Sequence, residues 1–142
     1  MTYATQNDLI DRVGERLLVD LTDREDARTN SIDADAVAQA LAHADAEIDG
    51  YLVDRYVLPL TEVPPTVIDI ACILAIWRLH TYEPSAKIKS DHEEAQRKLR
   101  EIRAGTFRLP VNGVEPTGTG GSGARVTDRE RPFTEDTMKS FI

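Results

Sequence analysis

Apolar residues recur at helical spacing along the first 104 positions, and the chain reads as a series of amphipathic helices. Thr5 is placed to cap the first of them, in which Leu9, Ile10 and Val13 form one stripe that stops at Gly14. A short continuation over 15–21 carries Leu17, Leu18 and Leu21, and a polar loop over 22–30 follows. The second main helix is expected from Ser31 or Asp33 to about Tyr56, with acids in its first turn as the helix dipole favours. Val37, Leu41, Ala44, Ile48, Tyr51 and Leu52 keep an i, i+4, i+7 rhythm along it, and alanines at 36, 38, 40, 42, 44 and 46 make it slim enough for close packing. Gly50 costs such a helix about 1 kcal/mol relative to Ala, which predicts a packing contact or a slight bend there.

The segment 58–65 is a linker whose final Val63-Pro64-Pro65 starts a helix, because proline is at home in the first turn. From 66 to about 80 the pattern is apolar nearly all round, so this helix must be covered on several sides. The last helix is expected over 85–104, with Ile88, His92, Ala95, Leu99 and Ile102 on one stripe. Glu93 with Arg97 and Glu94 with Lys98 are spaced for i, i+4 ion pairs, each worth about 0.2–0.5 kcal/mol, and Gly105 ends the helix. Phe107, Leu109 and Val111 alternate, as in a short strand or an extended segment laid on the bundle. The predicted fold is therefore all-α: a bundle of about four helices over 1–104, an extended segment and Gly-rich linker over 105–124, and a C-terminal arm over 125–142.

That arm is too short to build a core, yet it carries Phe133, Met138, Phe141 and Ile142 among charged and hydroxyl residues. Apolar side chains on a tethered tail imply that another chain supplies the pocket. The spacer Thr117-Gly-Thr-Gly-Gly-Ser-Gly123 gives the arm reach, at most about 3.3–3.6 Å per residue.

Charge is unevenly placed. Residues 1–62 hold 14 acids and 5 bases, and residues 63–142 hold 11 acids and 12 bases, so the net charge of −8 comes from the front half. An acidic front half does not suit a nucleic-acid ligand, which needs clustered Lys and Arg to release counterions. It does allow the acidic face of one copy to meet a more basic face of the next. The first residues lack a basic stretch followed by an apolar one, as a secretory signal would have, and the run 67–79 is too short for a bilayer. A soluble protein made inside the cell is the expectation.

Candidate chemistry is sparse. The acidic loop 23–33 has the length of a calcium loop but lacks its glycine and puts Ala27 and Arg28 where oxygen ligands should fall. His43, His80 and His92 lie far apart in sequence, and none has a partner at metal-ligand spacing. His92 reads as a packed residue, and His43 and His80 as surface or interface residues. Asp45 and Asp49 are carboxylates at i, i+4 without convergent partners, which fits an acidic interface helix better than acid–base catalysis. The single cysteine, Cys72, sits in the most apolar run and reads as an inert buried thiol. No catalytic, cofactor-binding or metal-binding residue is nominated.

Tyr3-Ala-Thr, the block Ile48-Asp-Gly-Tyr-Leu-Val-Asp-Arg-Tyr-Val-Leu-Pro-Leu60, Val63-Pro-Pro65 before an apolar helix, and Arg131-Pro-Phe-Thr occur in that order. Together they resemble a family of small proteins of Mu-like tailed bacteriophages, once a domain of unknown function and associated with head–tail connectors. The likeness covers nearly the whole chain, and the 48–60 block is its most specific part. One departure stands out: members often carry an Asp- and Gly-rich loop where this chain has Asp23 to Asp33 without glycine.

The resemblance implies a head completion (adaptor) subunit of the virion neck, assembled in the host cytoplasm as a homo-oligomeric ring, expected to be twelvefold, beneath the portal protein. It implies an arm that docks on the portal, a role that falls here to Arg131, Phe133, Met138, Phe141 and Ile142. The tail-side neighbour would be another connector or a tail terminator, and genomic DNA would pass through the channel without specific binding. A different class stays open beside it: a small acidic helical regulator or inhibitor that binds one protein through its tail.

Overall fold

The computed structural model describes residues 2–24 and 27–111. It contains five helices and, among the described residues, no strand: α1 (Gln6–Val13), α2 (Glu15–Thr22), α3 (Ala34–Leu52), α4 (Pro65–Leu79) and α5 (Ala86–Ala104). Each boundary has a local cause. Thr5 and Asp8 form a reciprocal capping box at the start of α1, and Gly14 at φ 86° separates α1 from α2. Asp33 caps α3 by accepting from the amides of Asp35 and Ala36. Pro65 occupies the first position of α4, and Ser85 accepts from the Ile88 amide to cap α5.

Two boundaries differ from expectation. The continuation after Gly14 is a helix in its own right, so the all-α bundle has five helices where about four were expected. The second main helix stops at Leu52, short of Tyr56: the Arg55 amide bonds the Leu52 carbonyl in a tighter i→i−3 turn in place of the helical i→i−4 bond to Tyr51. Gly50 has nothing within 4 Å of where a Cβ would sit, so the expected packing contact is absent from its own fold.

α3 and α4 form the centre of the bundle, with α5 and α1 packed against both. α4 buries Val67, Ile70, Ala71, Cys72, Ile73, Leu74, Ala75, Ile76 and Leu79, as its all-round apolar pattern requires. α5 runs alongside α3 in the same direction: Gln96 meets Glu47 and Tyr51, and Arg103 meets Asp54 one to two turns further on. α4 runs the opposite way, with Trp77 near its end stacked on His92 in the first half of α5. Thr22 ties α2 to the start of α3 by donating to the Leu18 carbonyl and accepting from the Asp33 amide. Arg24 ties it to α4, donating to the Leu21 and Leu79 carbonyls.

On the surface of α5 one predicted pair forms and one does not. Lys98 pairs with Glu94 at 3.3 Å, while Arg97 turns towards Glu101 at 3.1 Å and leaves Glu93 without it. Arg97 has an acid both four residues before and four after it, and sequence spacing alone does not choose between them.

Candidate functional site

The predicted docking residues Arg131, Phe133, Met138, Phe141 and Ile142, with the linker before them, lie outside the described residues. What the structure does describe is the root from which that segment departs. α5 ends in a left-handed residue, Gly105 at φ 80°, whose amide bonds the Glu101 and Ile102 carbonyls while the Thr106 amide reaches Glu101. This Schellman arrangement satisfies the last carbonyls and reverses the chain. Residues 106–111 form no strand. Leu109 is buried in the core and Val111 is packed against it, but Phe107 is 37% exposed, contrary to the alternating pattern. The Phe107 amide is still held by the Glu101 carbonyl, so this residue belongs to the helix cap.

Side chains from 48–60 build the other half of the root. The Arg55 guanidinium donates from Nε to the Arg103 carbonyl at 2.7 Å and from Nη2 to the Ala104 carbonyl at 2.9 Å. A cation bonded to the last carbonyls of a helix also meets the negative end of its dipole. Asp54 adds an ion pair to Arg103 at 3.2 Å. Tyr56 is buried and accepts the Leu109 amide on its hydroxyl at 3.0 Å. Ile48, Leu52 and Leu60 anchor the block in the core. The most specific part of the motif set is thus a clamp on the segment that leads to the arm. Sequence reasoning missed this role of Arg55 and Tyr56; the available signal was an Arg and a Tyr placed just past a helix end beside an apolar anchor.

Asp45 and Asp49 are not an interface pair. Asp45 is 8% exposed and accepts the Tyr3 amide at 3.0 Å, while Asp49 accepts the Tyr3 hydroxyl. Both carboxylates hold the N-terminal segment on α3, and Tyr3 is buried in the core. Burial raises the Asp45 pKa above its ordinary value, with the Tyr3 amide pulling the other way. Burial and the neighbouring carboxylates raise the Tyr3 phenol, which stays protonated and donating.

The three histidines, scattered in sequence, line one open cleft of about 690 Å³ between α3, α4 and α5. Their roles there differ. The His92 ring lies 4.1 Å from that of Trp77 at an interplanar angle of 10°, and desolvation lowers its pKa. His80 places Nδ1 2.7 Å from the Ile76 carbonyl, and His43 is exposed. Glu47 accepts from Gln96 and faces Arg78 at 3.7 Å, so the acid of this cleft is already engaged. Cys72 is buried, and desolvation pushes its thiol up to about 11. In the 23–33 loop, the Asp23 carboxylate accepts from the Thr29 and Asn30 amides, and Asn30 takes the left-handed conformation at φ 53° that glycine would otherwise supply. Among the described residues, no group of three or more His, Cys, Asp or Glu side chains is arranged to hold a metal ion. None of the helices there is long and apolar enough to cross a membrane.

Comparison with known proteins places the chain among phage proteins. The family described as Bacteriophage Mu, Gp36 matches residues 3–128. Gene product J of Escherichia phage Mu is 38% identical over 142 residues, covering 100% of both chains. The Mu-like prophage FluMu protein gp36 of Haemophilus influenzae is 29% identical over 140 residues, 99% of this chain and 98% of that one. The match runs from Tyr3, held by Asp45 and Asp49, through the clamp at 48–60 and past the last described residue, so the chain belongs to the bacteriophage Mu Gp36 family.

Proposed function

We propose that this chain is a structural subunit of the phage neck, a head–tail connector (adaptor or head completion) protein that forms a ring, twelvefold in expectation, beneath the portal. The arm over 125–142 docks on the portal protein, with Phe133, Met138, Phe141 and Ile142 filling apolar pockets and Arg131 pairing with a carboxylate. The ring continues the DNA passage to a tail-side connector or tail terminator, touches the duplex without sequence recognition, and catalyses no reaction.

The reading's main support is the use made of the 48–60 block. Arg55 and Tyr56 are spent on fixing where the chain leaves the bundle, and a fixed root matters only if the segment beyond it has to arrive somewhere. A short tether then converts arm docking into an intramolecular event once one copy is seated, which raises avidity without new contacts. Full-length similarity to proteins of phage Mu and of a Mu-like prophage is the second support.

The test is deletion of 125–142. The truncated chain should keep its helical circular dichroism and lose co-sedimentation with portal rings, and unchanged binding would overturn the arm assignment. A large complex of many copies per portal is expected from the full chain; a small defined complex with one partner would favour a regulator.

A further inference from the structure

The end of the bundle that carries the clamp is also its most basic and most openly apolar part. Residues 97–108 hold five bases and one acid. Arg97, Lys98 and Arg103 are paired with acids of their own chain, but Arg100 and Arg108 are exposed and have no partner among the described residues. Beside them Val53 and Val57 are 59% and 70% exposed, and Phe107 also faces solvent. Asp54, Arg55 and Tyr56 bring these residues together by drawing the end of α3 onto the end of α5.

The α1–α2 face has the opposite character. Residues 8–23 hold five acids and two bases. Asp8 is used in a helix cap, Asp23 in its loop, and Arg12 pairs with Asp69. Asp11, Glu15 and Asp20 are exposed and have no partner among the described residues. The start of α1 lies along the start of α4, where Asp8 and Asp11 flank a shallow cleft with Pro65 and Ile68. Arg12 and Val13 line a small cavity with Ile88 and Asp91, so α1 ends beside the first turns of α5. Arg103 is a further twelve residues along that helix, about 18 Å away at 1.5 Å per residue.

We propose that the basic, apolar-studded end of one copy docks on the acidic α1–α2 face of a second copy. This rests on the ring reading and supplies its subunit contact. Val53, Val57 and Phe107 form the dehydrated centre, and Arg100 and Arg108 meet Asp11, Glu15 and Asp20 at the rim, where charge sets register and partner choice. Each copy gives its basic end to one neighbour and its acidic face to the other, so the contact is heterologous and copies add head to tail until a ring closes. The arm's root then lies beside each junction between copies.

The contact is tested on the full chain, without portal, by sedimentation velocity at low ionic strength and subunit concentrations up to about 1 mM, where a weak heterologous contact is populated. Wild type should form species larger than a dimer that fall apart as salt is raised. Arg100→Glu with Arg108→Glu should weaken self-association by about tenfold or more, as should Asp11→Arg with Glu15→Arg, both with unchanged helicity. Mixing the two variants, or combining all four changes in one chain, should restore it. A wild type that stays monomeric, a charge reversal without effect, or a mixture without rescue would each overturn the contact. Arm docking is scored separately: loss of portal binding on deleting 125–142, with self-association intact, bears on the arm alone.

Discussion

Removing the Arg55 guanidinium should loosen the root of the arm by an amount that can be worked out from its contacts. The side chain donates two charge-assisted bonds, at 2.7 and 2.9 Å, to the last carbonyls of α5. Such bonds are worth up to about 1.5–3 kcal/mol each when shielded, and a cation at an exposed helix C-terminus adds about 0.3–1 kcal/mol. The site is half-exposed, so water replaces part of what is lost, and Arg55→Ala should cost about 2 kcal/mol in total. For a domain of this size that lowers Tm by about 10 °C. Arg55→Lys should recover less than half, because one ammonium does not reproduce the guanidinium fork. Gly105 makes the reasoning sharper: an added Cβ would overlap the Arg55 guanidinium, and the residue sits at φ 80°. Gly105→Ala should therefore cost about 3 kcal/mol in wild type, from left-handed strain plus displacement of Arg55, but only about 1 kcal/mol in the Arg55→Ala background. Urea unfolding of the four proteins of this cycle measures the coupling directly. Additivity within about 0.5 kcal/mol, or a single-variant effect of that size for Arg55→Ala, would refute the clamp.

Two more outcomes are expected from the same geometry. Gly50→Ala should stabilise the chain by about 1 kcal/mol, since nothing lies within 4 Å of the new Cβ and the helix gains propensity; a destabilised variant in urea melts would contradict the open site. Asp45→Asn should change the pH profile of stability. The folded carboxyl has a raised pKa, so the folded chain holds that proton to higher pH than the unfolded chain, whose value is near 3.8. The contribution of Asp45 is fully present below that value and is lost as pH rises through the folded pKa. Wild-type stability relative to Asp45→Asn should therefore decline from about pH 4 upward, with Asn still accepting the Tyr3 amide, and a difference independent of pH would count against a buried carboxyl.

Helix positions were readable because they depend on neighbours in sequence. Thr5, Asp33, Pro65, Ser85 and Gly105 act on groups within four residues, and the stripe of Leu99 and Ile102 or the all-round pattern of α4 comes from the helical period. The family likeness was also carried by the string of residues itself. The uses of polar side chains were different. Asp45 and Asp49 have the spacing of solvent-facing acids, yet Tyr3, more than forty positions earlier, occupies both. The histidines share a cleft only because α4 runs against α3 and α5.

The sequence by itself determined an all-α chain, its helix boundaries to within a turn, and an apolar tail on a glycine spacer, since each rests on local periodicity, capping or composition. Only the tertiary structure decided that Arg55 and Tyr56 clamp the exit of α5, and which surface charges are left without a partner among the described residues. A hydrogen bond or a surface patch joins residues some fifty positions apart. No pattern of spacing along the chain encodes which of them the packing of three long helices brings within reach.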